Sequence, residues 1–310
     1  MEIFGGILRA IPGAASQGVL WGIMTLGVYL TYKVLGYSDL TVDGSFATGG
    51  AVSAMLIMQG MNPFVTLVFA TAAGMLCGIL TGLLHTWFKI PAILSGILLM
   101  IALYSINMRI MGGKANIPLL GEDTIVTIIM DKFGVSMNTA TLIIGLALSA
   151  ILIAILYWFF GTELGSAIRA TGNNEAMVRA LGASTDQMKI LGLLLSNGLV
   201  SLSGALVAQA QGYANVQMGT GAIIIGLASV IIGEVIFGVR FSFSYKLASV
   251  VVGSVLYRVI IAMVLQFGLS TNDLKLFTAV VVAAALGFPV FQNWLRERFP
   301  TKKKEGAPLC

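Results

Sequence analysis

Apolar positions along this chain run on without the alternation or the helical stripe of a soluble fold. The stretches Gly44 to Phe88, Ile90 to Met108, Phe133 to Thr162 and Ile190 to Gly233 contain no Asp, Glu, Lys or Arg. Each reaches or approaches the ~20 residues that a helix needs to cross a bilayer, and two are long enough for a hairpin of two spans. The runs and the polar turns between them predict spans at about residues 13 to 34, 42 to 59, 63 to 87, 91 to 111, 138 to 160, 189 to 211, 222 to 239, 247 to 268 and 274 to 293. The front is ambiguous. The segment beginning SDLTVDGS is short and polar at its start, so it is either a full span, giving nine with the N-terminus outside, or a broken helix that enters part-way, giving eight. Irregular backbone at membrane depth is tolerated only where protein or a water-filled cavity shields it.

One strip interrupts the apolar pattern. RATGNNEAMVRALGAS, residues 169 to 184, is polar and helix-forming within a loop of about 162 to 188. Gly172 is expected to break the preceding helix, Asn173 to cap a new one, and Gly182 to stop it. That predicts about two turns over 174 to 181, roughly 12 Å long, with Glu175 and Arg179 paired i,i+4 and Met177 and Leu181 forming an apolar ridge. A helix this short is marginal alone, so something must hold it.

Composition agrees with the pattern. The 310 residues are 57% hydrophobic and 10% charged, against roughly 25% charged in soluble chains. The 37 glycines suit close approach of membrane helices. The fold class expected is an all-α polytopic membrane protein of about 8 to 9 transmembrane helices, one membrane domain over 1 to 310. The start, MEIFGGILRAIPGA, has Glu2 and Arg9 but no basic n-region with a cleavage site, so no removable signal is expected. Cys77 lies in an apolar run and Cys310 ends the chain, so no disulfide framework is expected. The net charge of +5 is concentrated at Arg296, Arg298 and Lys302 to Lys304, which fits the positive-inside bias better than nucleic-acid binding. With that tail cytoplasmic, Lys89, the strip, Arg240 and Lys246 also fall inside, while 112 to 137, 60 to 62 and 270 to 273 face outside.

The strip followed by LGASTDQMKILGLLLSNGLVSLSGALVAQAQG resembles the permease subunits of ABC importers for branched-chain amino acids, simple sugars and nucleosides. YSDLTVDGSFATGGAVSAML, residues 37 to 56, is similar to that family's early segment, and GLASVIIGEVIFG, residues 226 to 238, to its glycine-rich turn. The wording GNNEAMVRALG and QMKILGLLLSNGLVSLSGAL is closest to the tryptophan and tyrosine importers of Gram-positive bacteria. VDGS departs from both main branches, since sugar-type permeases usually carry glycine near Asp43 and the branched-chain type a His-Gly pair. The resemblance implies that the strip is a cytoplasmic coupling helix, with Asn173, Asn174, Glu175, Met177, Val178, Arg179, Leu181 and Gly182 meeting an ATPase. It also implies two cytoplasmic ATP-binding subunits that carry ATP and Mg, an extracytoplasmic substrate-binding protein or lipoprotein, a second permease copy in a homodimer, and location in the bacterial plasma membrane with a cytoplasmic C-terminus.

Polar residues at membrane depth are the candidates for a translocation path or an interface: Asp39, Asp43, Ser45, Asn107, Asn197, Gln209 and Arg258. Arg258, about halfway along its span, either faces the path or the partner copy, or forms an internal salt bridge with Asp39, Asp43 or Glu234. Glu234 is within reach of Arg240 or Lys246. Asp43 can cap the helix that follows it. Asn107, Asn197, Gln209 and Gln211 suit interhelical hydrogen bonds, and the small residues at 192, 196, 197, 201 and 205 suit tight helix packing. His85 is the only histidine and has no ligand partners at metal spacing. The serines at 196, 201 and 203 have no nearby base, so no catalytic residue is expected. No GxxxxGK[ST] phosphate loop is present, and GGKANIP at 112 to 118 lacks its spacing, so this chain holds no nucleotide cofactor and is not the ATPase. Rival readings are an ion-coupled secondary transporter, which needs midplane coupling groups and often inverted repeats, an importer of a nucleoside or sugar, and an integral-membrane enzyme.

Overall fold

A computed structural model describes residues 2–238, 242–266, 276–280, 282–284 and 287, with side chains from residue 10 onward. It is all-α apart from one pair of short strands. Helix α1, Glu2–Tyr29, carries Pro12 inside it and runs into a π-helical turn, Leu30–Val34. Then come α2 (Val42–Met58), α3 (Pro63–Thr86) and α4 (Ala92–Ile110). Strand β1 (Asn116–Pro118) and the nine-residue α5 (Ile125–Phe133) precede α6 (Met137–Phe160). The strip forms α7 (Glu163–Asn173) and α8 (Glu175–Ala180) before α9 (Thr185–Gln211), β2 (Tyr213–Asn215), α10 (Ala222–Phe237) and α11 (Phe243–Gln266). Among the described residues, α3, α4, α6, α9 and α11 are long and apolar enough to cross a membrane, and α2 and α10 are shorter apolar helices. This is an all-α polytopic, multi-pass membrane protein.

Helix α9 is the axis, packed against α1, α2 and α3. Its inward face is Ser, Gly and Ala, because lipid gives helices no hydrophobic reason to associate and close backbone approach supplies dispersion and hydrogen bonding instead. Three α9 serines donate to carbonyls of neighbouring helices: Ser196 to Gly27 (2.8 Å), Ser203 to Leu20 (2.8 Å) and Ser201 to Ala70 (2.6 Å). At the crossing with α2, Gly49 lies against the Ser201 carbonyl and Gly204 against that of Phe46, with no room for a Cβ at either. The small residues read as packing positions are therefore packing positions.

The front segment reaches α2 through irregular backbone. Residues 36 to 40 are irregular, and Tyr37 and Asp39 are buried. Tyr37 is tied to Ser95 Oγ (2.8 Å), Thr41 to Thr81 (2.7 Å), and α2 has only 17 residues. Shielding by α3, α4 and α9 is what allows non-helical backbone at this depth.

Other boundaries move. α1 starts at residue 2 where residue 13 was expected, α9 at 185 where 189 was expected, and α11 at 243 where 247 was expected. The segment between α4 and α6 is not a plain loop: β1 pairs antiparallel with β2, Asn116 opposite Asn215 and Pro118 opposite Tyr213, and α5 begins with a Thr124–Thr127 capping box. The expected ninth span, 274 to 293, falls mostly outside the described residues, as do Arg240, the 270 to 273 turn, the basic tail and the closing GAPLC.

Candidate functional site

The strip is built as a clamped knob. Asn174 caps α8, its Oδ1 accepting from Met177 N at 3.0 Å. Asn173, expected to be the cap, is the last residue of α7, and Gly172 does not break that helix. Gly172 is there because α7 touches the π turn: a Cβ would strike the Val34 carbonyl and the Leu35 backbone. Glu175 Oε1 accepts from Arg179 (2.7 Å), Lys189 (2.9 Å) and Thr185 (3.2 Å). Arg179 also donates to Thr185 Oγ1 (3.0 Å), and Lys89 and Arg179 flank Asp186 at 3.8 and 4.0 Å. The hydrogen bond from Lys189, ahead of its charge, holds the Glu175 carboxyl below its ordinary value. This network fixes a six-residue helix that could not stand alone to the first turn of α9. Thr185 and Lys189 are members the sequence reading missed, since nothing local links positions 10 and 14 residues beyond Glu175.

Two side chains stay free of the clamp. Met177 is 47% and Leu181 78% exposed, an apolar tip on a polar base. Gly182 ends α8 at φ +86 with open space around it. Val178 corrects the expected contact surface: at 4% exposure it is buried against the body and cannot meet a partner. Lys33, Lys89, Arg169, Arg179, Lys189 and Lys246 all gather at this end, and Arg109, Lys114 and Lys132 lie at the other.

The membrane-depth candidates separate into groups. Asp43 and Asn107 meet in a cavity of about 390 Å³ between α2, α4 and the loop before α10, within the range of small-molecule sites. Its walls are Ala47, Met100, Ile101 and Tyr104, with Ser105, Gln217 and Thr220 as further polar groups. Asp43 does not cap its own helix. Its two oxygens accept from Gly221 N (2.8 Å) and Ile223 N (2.9 Å), so it caps α10 from across the cavity floor. Asn107 is buried, with Nδ2 only 3.5 Å from the Gly44 carbonyl and Oδ1 without a partner.

Directly beneath, Asp39, Ser45 and Asn197 form a closed set. Asn197 donates to Asp39 (2.7 Å) and Leu193 O (3.0 Å) and accepts from Ser45 (2.6 Å), while Asp39 accepts from Thr41 N (2.9 Å). Gln209 lies elsewhere, accepting from Ile125 N (3.0 Å) and donating to Ser53 (3.0 Å) and Thr66 (3.2 Å), so it ties α5 to α2, α3 and α9. Arg258 is not in the cavity. Its guanidinium lies 4.0 Å above the Trp21 ring, and none of the ion pairs among the described residues includes it. Glu234 pairs with Lys33 at 2.7 Å and not with Lys246, while Arg240 lies outside the described residues. His85 Nδ1 is 2.8 Å from the Ile90 carbonyl, and no group of three metal-ligating side chains occurs among the described residues.

Residues 11–286 match the family described as branched-chain amino acid transport system, permease component. The chain is 39% identical over 279 residues to a tyrosine transport system permease protein of Clostridioides difficile (strain R20291), covering 90% of this chain and 91% of that protein. It is 31% identical over 277 residues to an uncharacterized protein of Rickettsia prowazekii (strain Madrid E), covering 88% and 95%. It is 28% identical over 218 residues to the ribose import permease of Escherichia coli (strain K12), covering 68% and 64%. No solved structure matches it.

Proposed function

The chain belongs to the branched-chain amino acid transport system permease family, and from that premise we propose that it forms the translocation path of a binding-protein-dependent ABC importer for an amino acid, with α8 as the handle of the ATPase. The observation that carries this reading is the clamped knob. A rigid six-residue helix is held to the body by Val178 and the Glu175 network, while its apolar tip, Met177 and Leu181, is left uncovered among the described residues and suits a cleft on a soluble partner. Movement of the knob passes to the membrane in two ways, through the Glu175–Lys189 bond to α9 and through the Gly172 contact to the π turn of α1. Clustering of the described cations supports a cytoplasmic position for this end, where two ATP-binding subunits would grip two copies of the chain by twofold symmetry. ATP and Mg belong to those subunits, and a substrate-binding protein docks on the opposite end, where β1, β2 and α5 lie.

The cavity of Asp43 and Asn107 is the stretch of path that this chain supplies. Its unpartnered Asn107 Oδ1 accepts from a donor such as an α-ammonium, and Met100, Ile101 and Tyr104 offer an apolar wall for a side chain. An aromatic amino acid fits both features. The tyrosine permease relative supports that substrate class over the more distant and shorter match to the ribose permease.

The test is reconstitution of the protein in proteoliposomes with its ATPase and binding protein, with uptake of tyrosine and ribose and the associated ATP hydrolysis measured together. Wild type is expected to take up tyrosine with binding-protein-stimulated hydrolysis. A Met177→Asp, Leu181→Asp variant is expected to lose at least tenfold of the stimulation while staying folded, because both residues are exposed. Unchanged stimulation in the variant overturns the handle, uptake of ribose alone overturns the substrate, and uptake driven by an ion gradient without ATP overturns the importer.

A further inference from the structure

We propose that the crevice between α1, α6 and α11 binds the phosphate of a membrane phospholipid, with Arg258 as its anion-binding group. The crevice holds about 240 Å³ and is lined by Gln17, Asn138 and Arg258 among small and apolar residues such as Gly13, Ala14 and Ile261. No acid lines it. Arg258 Nε and the nearby Trp21 Nε1 are both buried without an acceptor among the described residues, and Trp21 is 6% exposed. A guanidinium stacked on an indole, in a crevice that also holds two carboxamides, has no negative partner among the described residues, and a cation held away from water calls for one. The indole face offsets part of that need but leaves the in-plane N–H groups free.

Depth and exposure identify the source of the anion. Asn138 is in the first turn of α6, two residues after the Ser136 cap. At 1.5 Å per residue the 24 residues of α6 cover roughly 36 Å, against ~30 Å of hydrocarbon, so its first turn stands at the level of lipid headgroups. Only 22% of the apolar window of α6 is buried, and Ile143, Leu146, Ile151 and Ile155 on it are exposed, as a helix facing acyl chains requires. The mouth of the crevice, at Asn138, is thus at headgroup height beside a lipid-facing helix and apart from the Asp43–Asn107 cavity, while Arg258 stands deeper, roughly 12 Å short of the end of α11, and meets the phosphate from below. Its volume is below the ~300 Å³ of typical small-molecule sites, which suits one tetrahedral headgroup phosphate better than a whole solute.

The test uses the full-length protein, delipidated in a neutral detergent, with retained lipid counted by native mass spectrometry. The probes are phosphatidylglycerol, diacylglycerol with the same chains, and glycerol 3-phosphate. Wild type is expected to retain phosphatidylglycerol about tenfold over diacylglycerol, with no displacement by millimolar glycerol 3-phosphate. Arg258→Gln is expected to bring the two lipids level. Because that change touches a buried group, Asn138→Leu serves as a second variant at an exposed position, and a several-fold loss is expected there with folding intact. Retention equal to wild type in both variants overturns the site. Displacement by glycerol 3-phosphate makes it a site for soluble anions, and displacement by free tyrosine assigns it to the transport path; either result overturns the lipid assignment.

Discussion

Gly172→Ala puts a methyl group where two backbones already touch. A Cβ on Gly172 would meet the Val34 carbonyl oxygen and come within 2.8 Å of the Leu35 Cα. Neither is the end of a flexible side chain, so α7 must retreat by about 1 Å before the contact becomes tolerable. Overpacking of this kind costs ~1–3 kcal/mol, and alanine returns up to ~1 kcal/mol through its better helix propensity. The net loss of stability is therefore about 0–3 kcal/mol, too little to unfold the chain. The larger effect is mechanical, because α8 follows α7 without a linker and its tip moves with it. Thermal unfolding of the purified protein should fall slightly, while ATPase stimulation by loaded binding protein should fall several-fold. Gly182→Ala is the control: φ is +86 with nothing within 4 Å, so it pays ~1–2 kcal/mol of local strain and leaves the α7 contact alone. If Gly172→Ala matches wild type in both assays, or if the two glycine variants behave alike, contact between the strip and the π turn does not transmit movement.

Asp43→Ala should destabilise by about 1–3 kcal/mol, since two half-buried backbone donors at the start of α10 lose their acceptors; Asp43→Asn keeps one acceptor and should lose about half as much in thermal unfolding, and equal losses would refute the capping role. Glu175 has a carboxyl depressed by Lys189, so its contribution to docking α8 is fully present above the ordinary value of 4.5 and is lost as pH falls through the lower folded value. Hydrogen exchange across 174 to 181 should accelerate below that window, and Lys189→Met should abolish the dependence. Asn197→Leu breaks three good hydrogen bonds and should cost about 2–3 kcal/mol, whereas Asn107→Leu should leave the melting temperature almost unchanged and alter uptake.

The spans and the strip were legible because each rests on a local property, length of apolar run or helix-forming composition. What escaped the sequence was every feature fixed by a distant partner. Asp43 was read as the cap of its own helix, the only N-terminus near it in sequence, yet the amides it serves are at 221 and 223. Gly172 looked like a breaker because a glycine in a polar strip usually is one, and only the approach of Val34 explains it as a contact residue inside a helix. The strands 116–118 and 213–215 carry no period long enough to detect, and their pairing spans almost a hundred residues. Glu234 was matched to the cations nearest in sequence, and its partner is Lys33, some two hundred residues earlier.

Residue type alone could not separate function from packing among the polar side chains in the membrane, and partner accounting can. Asn197, Gln209, Ser196, Ser201 and Ser203 are all buried and all satisfied, each bond joining two helices. Such groups hold α1, α2, α3 and α9 together as one body and leave no valence for a solute. Asn107 and Arg258 are the opposite case, since each keeps a buried polar atom without a partner. A buried group of that kind costs stability in the resting chain, so its presence is explained by what it meets from outside. The two differ in sign: Asn107 offers an acceptor in a cavity between helices, and Arg258 offers donors in a crevice beside lipid. Opposite chemistry at separate places argues that they serve different ligands, a transported solute for one and the bilayer for the other.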